Sequence, residues 1–439
     1  MAERAGIRGQ GALIARRHVI YVSGYDPQGA EGYYRLFARA WQRFLTMWPL
    51  AAKLAPLERD SDDFAHWMID AAGPNWQVST RYDFLRQEQM IRANMAEPMI
   101  RQAPRALAWA FDYLVSGALA RVMRTSWQFA CVLIYFQTML IAWIALSVAG
   151  GVLAAYVAAR YGLPLLAALP LGIAGAVAVF ALLRPLADRA FVVQINSHWP
   201  HLCAFARGEP SCFDRPIEVC AQRLIAAARA READEIVVVG HSGGGALAPA
   251  VVARALELAP DVGRRSVPVV LLTLGSIAPG AALHPKAVHL RAISARLAVE
   301  PSILWIDCQS RADVMNFWDF DPVEGIGAQP GAARCNPSIW MLRFRDMLSP
   351  KFFRRIRFHF FRLHYQFIMA NDRRARYDYF MLLTGPIPVA TWARHDYASM
   401  LAFDKDATLA IDRVPASDLP GARTTDYRNP AAGSNLATS

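Results

Sequence analysis

The chain predicts an α/β fold: a mostly parallel sheet with helices on both faces, interrupted by a two-helix transmembrane hairpin. Three observations predict it. β-Branched runs at His18–Val22 and Ile236–Val239 stop in glycine turns and lead into helical spacing. Two further apolar runs, Val269–Leu274 and Ile303–Ile306, end in loops of Gly, Ser, Asp or Gln. Two long stretches, Trp127–Ala159 and Tyr161–Leu183, carry no charge. With 439 residues, the chain has material for a large core and more than one structural unit.

In chain order, the strand His18–Val22 passes through Ser23-Gly24-Tyr25-Asp26-Pro27 into Glu31–Trp48. There Tyr34, Phe37, Trp41, Phe44, Leu45 and Trp48 recur at helical spacing. A strand is expected at Gln77–Phe84, and one helix over Pro98–Val122 apart from Pro104. Beyond the hairpin, Asp214 and Pro216 start a helix whose apolar face includes Ile217, Cys220, Leu224 and Ile225. It feeds the Ile236–Val239 strand, and Gly245–Leu258 follows as a helix with Pro249 early enough to be tolerated. The expected organisation is one soluble domain split into residues 1–122 and 187–415 around a hairpin at 123–186, with a flexible tail at 416–439.

The hairpin follows from length and charge. About 20 helical residues at a 1.5 Å rise cover a hydrocarbon core of roughly 30 Å. Arg121 and Arg124 precede the pair and Arg184 and Arg189 follow it, whereas the connecting Gly162-Leu163-Pro164 turn is preceded only by Arg160. The positive-inside rule then predicts two spans in the cytoplasmic membrane, with both termini and the soluble domain in the cytoplasm. Trp127 and Tyr161 fall where interfacial aromatics belong.

Composition narrows the function. The net charge of +11 comes almost wholly from arginine and suits acidic headgroups or nucleic acid, but no basic cluster or nucleic-acid motif supports the second. The six cysteines are scattered without C-x-x-C spacing, which predicts reduced thiols and no zinc site. The basic start, Met1 to Arg17, lacks the hydrophobic region of a signal peptide. No glycine loop ends in Lys-Ser or Lys-Thr, which excludes a P-loop ATPase, and no cofactor is expected.

The chemistry is concentrated in Gly240-His241-Ser242-Gly243-Gly244. A G-x-S-x-G sequence between strand and helix holds a serine hydroxyl out on a turn too tight for side chains at the glycine positions. This elbow and the earlier Gly24 turn resemble the α/β-hydrolase superfamily, in particular its lipase-like and esterase-like serine hydrolases, over about two thirds of the chain. The hairpin departs from the soluble members. The resemblance implies a triad in the order serine, acid, histidine, with Ser242 as nucleophile. Asp313, several residues past the Ile303–Ile306 strand, is the candidate acid. Asp307 is the alternative, expected at the strand terminus bonding backbone amides, and Asp319 and Asp321 rank lower.

His364, within an aromatic and apolar segment, is the candidate base. His359, in the basic run Arg354–Arg362, is the alternative, and His395 is the remaining histidine after Asp313. His241 is too close to Ser242 to act on it and is expected to play a supporting role. The resemblance places the oxyanion hole at the amides of Gly243 and Tyr25, with Asp26 read as an Asx turn with Pro27. The expected activity is a membrane-anchored serine hydrolase cleaving a carboxylic ester, lipid-like esters included, through an acyl-serine. Thioester cleavage or acyl transfer by the same serine and a non-catalytic membrane scaffold are the alternatives.

Overall fold

The structure, a computed structural model, describes residues 13–264, 267–394 and 402–414. His395 and the 416–439 segment lie outside the described residues. The strands are β1 (Arg16–Val22), β2 (Ala51–Leu54), β3 (Glu58–Arg59), β4 (Phe64–Gly73), β5 (Trp76–Leu85), β6 (Glu235–His241), β7 (Val269–Leu274), β8 (Ile303–Ser310) and β9 (Ser338–Leu342). They form one mixed sheet in the order β2-β4-β5-β1-β6-β7-β8-β9, with β3 paired to β4. From β5 across to β9 every neighbour is parallel, while β4 runs antiparallel to β2, β3 and β5.

Central β6 is buried throughout, and its residues alternate between two cores. Ile236 and Val238 face one layer, Val237 and Val239 the other. A parallel strand covered on both faces needs this unbroken apolar run. The helices are α1 (Gly29–Met47), α2 (Glu88–Ala96), α3 (Met99–Val115), α4 (Ala118–Thr125), α5 (Trp127–Arg160), α6 (Leu165–Arg189), α7 (Val192–Arg207), α8 (Asp214–Ala230) and α9 (Gly244–Leu258), with shorter ones after them. The apolar face of α1 packs in one core layer with Phe380, and α7, α8 and α9 build the other.

Three elements differ from the sequence reading. The single helix expected over Pro98–Val122 is two, α3 and α4, bent by 73° where Gly117 adopts a left-handed φ of +70°. β8 runs past Ile306 to Ser310, because Asp307 sits in register with Thr273 and the two side chains bond each other. The antiparallel edge β2–β4 was not anticipated.

Helices α5 and α6, of 34 and 25 residues, contain 18-residue stretches of mean hydropathy 2.1 and 2.4 and are long and apolar enough to cross a membrane. Trp143 stacks on Phe180 with ring centroids 4.2 Å apart. A Cβ added to Gly151 would lie 2.6 Å from the Gly172 carbonyl oxygen, so small residues let the two backbones meet. In this register α5 outruns α6 at its N-terminal end by about two turns. Those turns are part of the core packed on the sheet, where Phe129, Ala130 and Leu133 are buried. The N-terminal end of the hairpin is therefore rooted inside the core of the domain.

Candidate active site

Ser242 follows β6 directly and precedes α9, with a left-handed φ of +60° that is uncommon for a residue with a side chain. The turn closes because its flanking residues lack side chains. A Cβ on Gly240 would lie 2.4 Å from the Gly244 carbonyl oxygen, and one on Gly244 would lie 2.0 Å from that of Val22. The serine is fixed by its main chain: its amide donates to Leu274 O at 3.0 Å, and its carbonyl accepts from Gly245 N at 3.0 Å and Ile277 N at 3.3 Å. Its side chain lines a cavity of 340 Å³, with the positive end of the α9 dipole directly behind it.

His364 ends a short helix (Phe360–His364) and lines the same cavity. Its Nδ1 lies 2.7 Å from Asp313 Oδ2, with both residues buried. Asp313 is held in turn: Oδ1 accepts from Met315 N at 2.9 Å and its carbonyl from Asn316 Nδ2 at 2.7 Å. Facing a carboxylate, Nδ1 carries the proton and donates, which leaves Nε2 a lone pair. Nε2 is buried and makes no hydrogen bond to Ser242 or to any other group among the described residues. His241 supports the arrangement from below, donating from Nε2 to the His364 carbonyl oxygen at 3.1 Å. Burial, together with the neighbouring His364, pushes His241 well below its ordinary value and keeps it neutral.

The Gly24 turn faces the elbow. A Cβ on Gly24 would lie 3.3 Å from both Ser242 Oγ and the Gly243 nitrogen. The amides of Gly243 and Tyr25 donate to no group among the described residues. Tyr25 is anchored through its hydroxyl to Ser197 Oγ at 3.0 Å and its carbonyl to Gln194 Nε2 at 2.6 Å, and Asp26 makes the Asx turn, accepting from Gln28 N at 2.9 Å. Sequence reasoning missed His198, on α7, which stacks on Tyr25 with ring centroids 4.8 Å apart and reaches over Gly243. Burial pushes it down to about 3, so it too is neutral. The only signal for it was the polar set Gln194, Asn196, Ser197 and His198 soon after an uncharged span.

The structure brings Ser242, Asp313, His364, Gly243 and Tyr25 to one place and leaves the alternatives elsewhere. Asp307 is not at the strand terminus but within β8, where Thr273 Oγ1 and Gln309 Nε2 donate to it, and burial pushes its carboxyl up to about 6. Asp319 is exposed, Asp321 pairs with Arg334 at 2.7 Å, and His359 is exposed at the start of its helix. Phe129, Val132, Leu133 and Phe136 of α5 form one wall of the cavity, with Phe191 and Ile195 beside them. Among the described residues no group of three or more His, Cys, Asp or Glu is placed to hold a metal ion. No family model, curated protein or solved structure matches this chain.

Proposed function

We propose that this chain is a membrane-anchored serine hydrolase of the α/β-hydrolase type that cleaves a carboxylic ester through an acyl-Ser242 intermediate. One observation carries the reading: a strained elbow serine shares a cavity with a histidine whose Nδ1 is bonded to a buried aspartate and whose Nε2 has no partner among the described residues. Ser242 Oγ attacks the ester carbonyl carbon while its proton passes to His364 Nε2, and Asp313 stabilises the imidazolium and fixes its tautomer. The Gly243 and Tyr25 amides donate to the tetrahedral oxyanion. His364 then protonates the leaving alkoxide, and the alcohol departs. Water, deprotonated by the same nitrogen, attacks the acyl carbon and releases the acid with Ser242 restored. The Ser242–His364 bond forms when substrate binds, a tightening common at catalytic sites.

The substrate is an acyl ester of apolar, lipid-like character, since residues continuous with an apolar helix line the pocket. By the excess of arginine at the flanks, the active site faces the cytoplasm. Hydrolysis of p-nitrophenyl esters of graded acyl length tests the reading. Ser242→Ala is expected to lower kcat/KM by about 10⁴ or more. Equal rates for variant and wild type would refute it.

A second reading, a non-catalytic scaffold of the same fold, draws on the unmade Ser242–His364 bond. It predicts no turnover of any ester and no reaction with serine-directed probes.

A further inference from the structure

A second cavity, of 300 Å³, lies away from Ser242 and is lined by Arg345, Pro350, Phe353, Arg354 and Arg357. Arg354, in the helix Pro350–Ile356, and Arg357, which caps its C-terminal end, lie three residues apart and line the cavity together, and Arg345 lines it from the preceding helix, Phe344–Met347. None of the three is ion-paired among the described residues. The nearest acid in sequence, Asp346, faces Arg343 at 3.5 Å, and Asp372 is engaged by Arg43 and Ser349. Aromatic faces hold two of the guanidiniums in place: Arg345 lies 5.4 Å from the Phe353 ring centroid and Arg357 lies 4.6 Å from that of Phe358. Three like charges lining one cavity without a counter-charge repel one another, and an anion seated in it removes that repulsion.

The position of the cavity identifies the anion. Phe361, four residues beyond Arg357, packs on Phe191 with ring centroids 4.2 Å apart, and Phe191 lies two residues past Arg189 at the end of α6. The basic segment is thereby joined to the base of the apolar hairpin, where headgroups would lie. Phe358, next to Arg357, is 81% exposed, and Lys351 and Arg355 are exposed around it. Exposed cations surrounding an outward aromatic make a surface suited to the headgroup boundary.

We propose that Arg345, Arg354 and Arg357 bind the phosphate of an anionic membrane phospholipid, with Phe358 inserted beside its acyl chains. The ligand chemistry is a phosphate group held by guanidiniums, and its source is the bilayer and not free phosphate. The proposal is independent of esterase activity.

Native mass spectrometry of the full chain released from micelles tests it, with phosphatidylglycerol, phosphatidylcholine of the same acyl length, and inorganic phosphate as probes. The wild type is expected to retain one phosphatidylglycerol at a concentration about tenfold below that needed for phosphatidylcholine. The double variant Arg354→Gln/Arg357→Gln should lose that preference, and Phe358→Ser, which keeps every charge, should weaken retention as well. Arg229→Gln, an exposed charge on α8 outside the cavity, should leave it unchanged. Equal retention of the two lipids, equal retention by wild type and double variant, or displacement of phosphatidylglycerol by equimolar inorganic phosphate would each overturn the proposal.

Discussion

The His241 side chain bonds the main chain of His364: its Nε2 donates to the His364 carbonyl oxygen across 3.1 Å, and the two rings lie 4.8 Å apart at 30°. The residue beside Ser242 thus holds the proposed base through its main chain. His241→Phe keeps a stacking ring and removes the donor. Steady-state kinetics of that variant should show kcat reduced by about tenfold, the worth of one buried hydrogen bond, with KM nearly unchanged. Unaltered kcat would mean that His364 is held by its other contacts alone.

The two buried aspartates of the β8 region should separate cleanly on substitution. Asp313→Asn removes the acceptor that orients His364 and should lower kcat by about 10³ to 10⁴. Asp307→Asn alters a Thr273 and Gln309 contact within the strand and should leave kcat within about tenfold of wild type. The reverse ranking in ester hydrolysis would transfer the acid role to Asp307.

Gly244→Ala should damage the fold more than any exchange on the protein surface. Its methyl group would sit 2.0 Å from the Val22 carbonyl oxygen, a backbone atom of the adjoining strand. Separation of α9 from β1 is then unavoidable, with an expected loss of more than about 2 kcal/mol in denaturant unfolding. A variant as stable as wild type would show that the elbow is looser than described.

Acid should destabilise the protein in part through its buried histidines. Burial holds His198 at about 3, against an ordinary 6.5. A depressed histidine charges first in the unfolded chain, so its contribution is complete above pH 6.5 and is lost as pH falls towards 3. At pH 5 that loss is on the order of 2 kcal/mol. His241, depressed in the same direction, adds to it. Buried Asp307 and Asp378, both pushed up to about 6 by burial, act oppositely, their contribution growing as pH falls from 6 towards 3.8. Thermal midpoints at pH 7.5 and 5.0 should therefore converge more closely for His198→Phe than for wild type. An equal drop in both would contradict the assignment.

Much of this site was legible because its constraints are local. The glycines around Ser242 announce a tight turn, and alternation of apolar strands with helical spacing announces a parallel sheet. Pairing of Asp313 with His364 spans 51 positions in sequence, so their residue types alone could nominate them but not place Asp307 and His359 outside the cavity. The end of β8 was misjudged because Asp307 reads as a loop residue until Thr273 of the neighbouring strand is seen to satisfy it. His198 was invisible for a similar reason: its role depends on the packing of α7 over Gly243 and on Tyr25, which no spacing encodes. An uncharged stretch long enough to span gave no sign that its first two turns belong to the core packed on the sheet.

The most direct measurement of the central claim is intact-mass analysis after exposure to a fluorophosphonate, with the adduct mapped by peptide sequencing. One adduct per chain is expected on Ser242, none on Ser242→Ala, and labelling slowed by at least about 10³ in His364→Ala. An unlabelled wild type, or an adduct on any other residue, would contradict it.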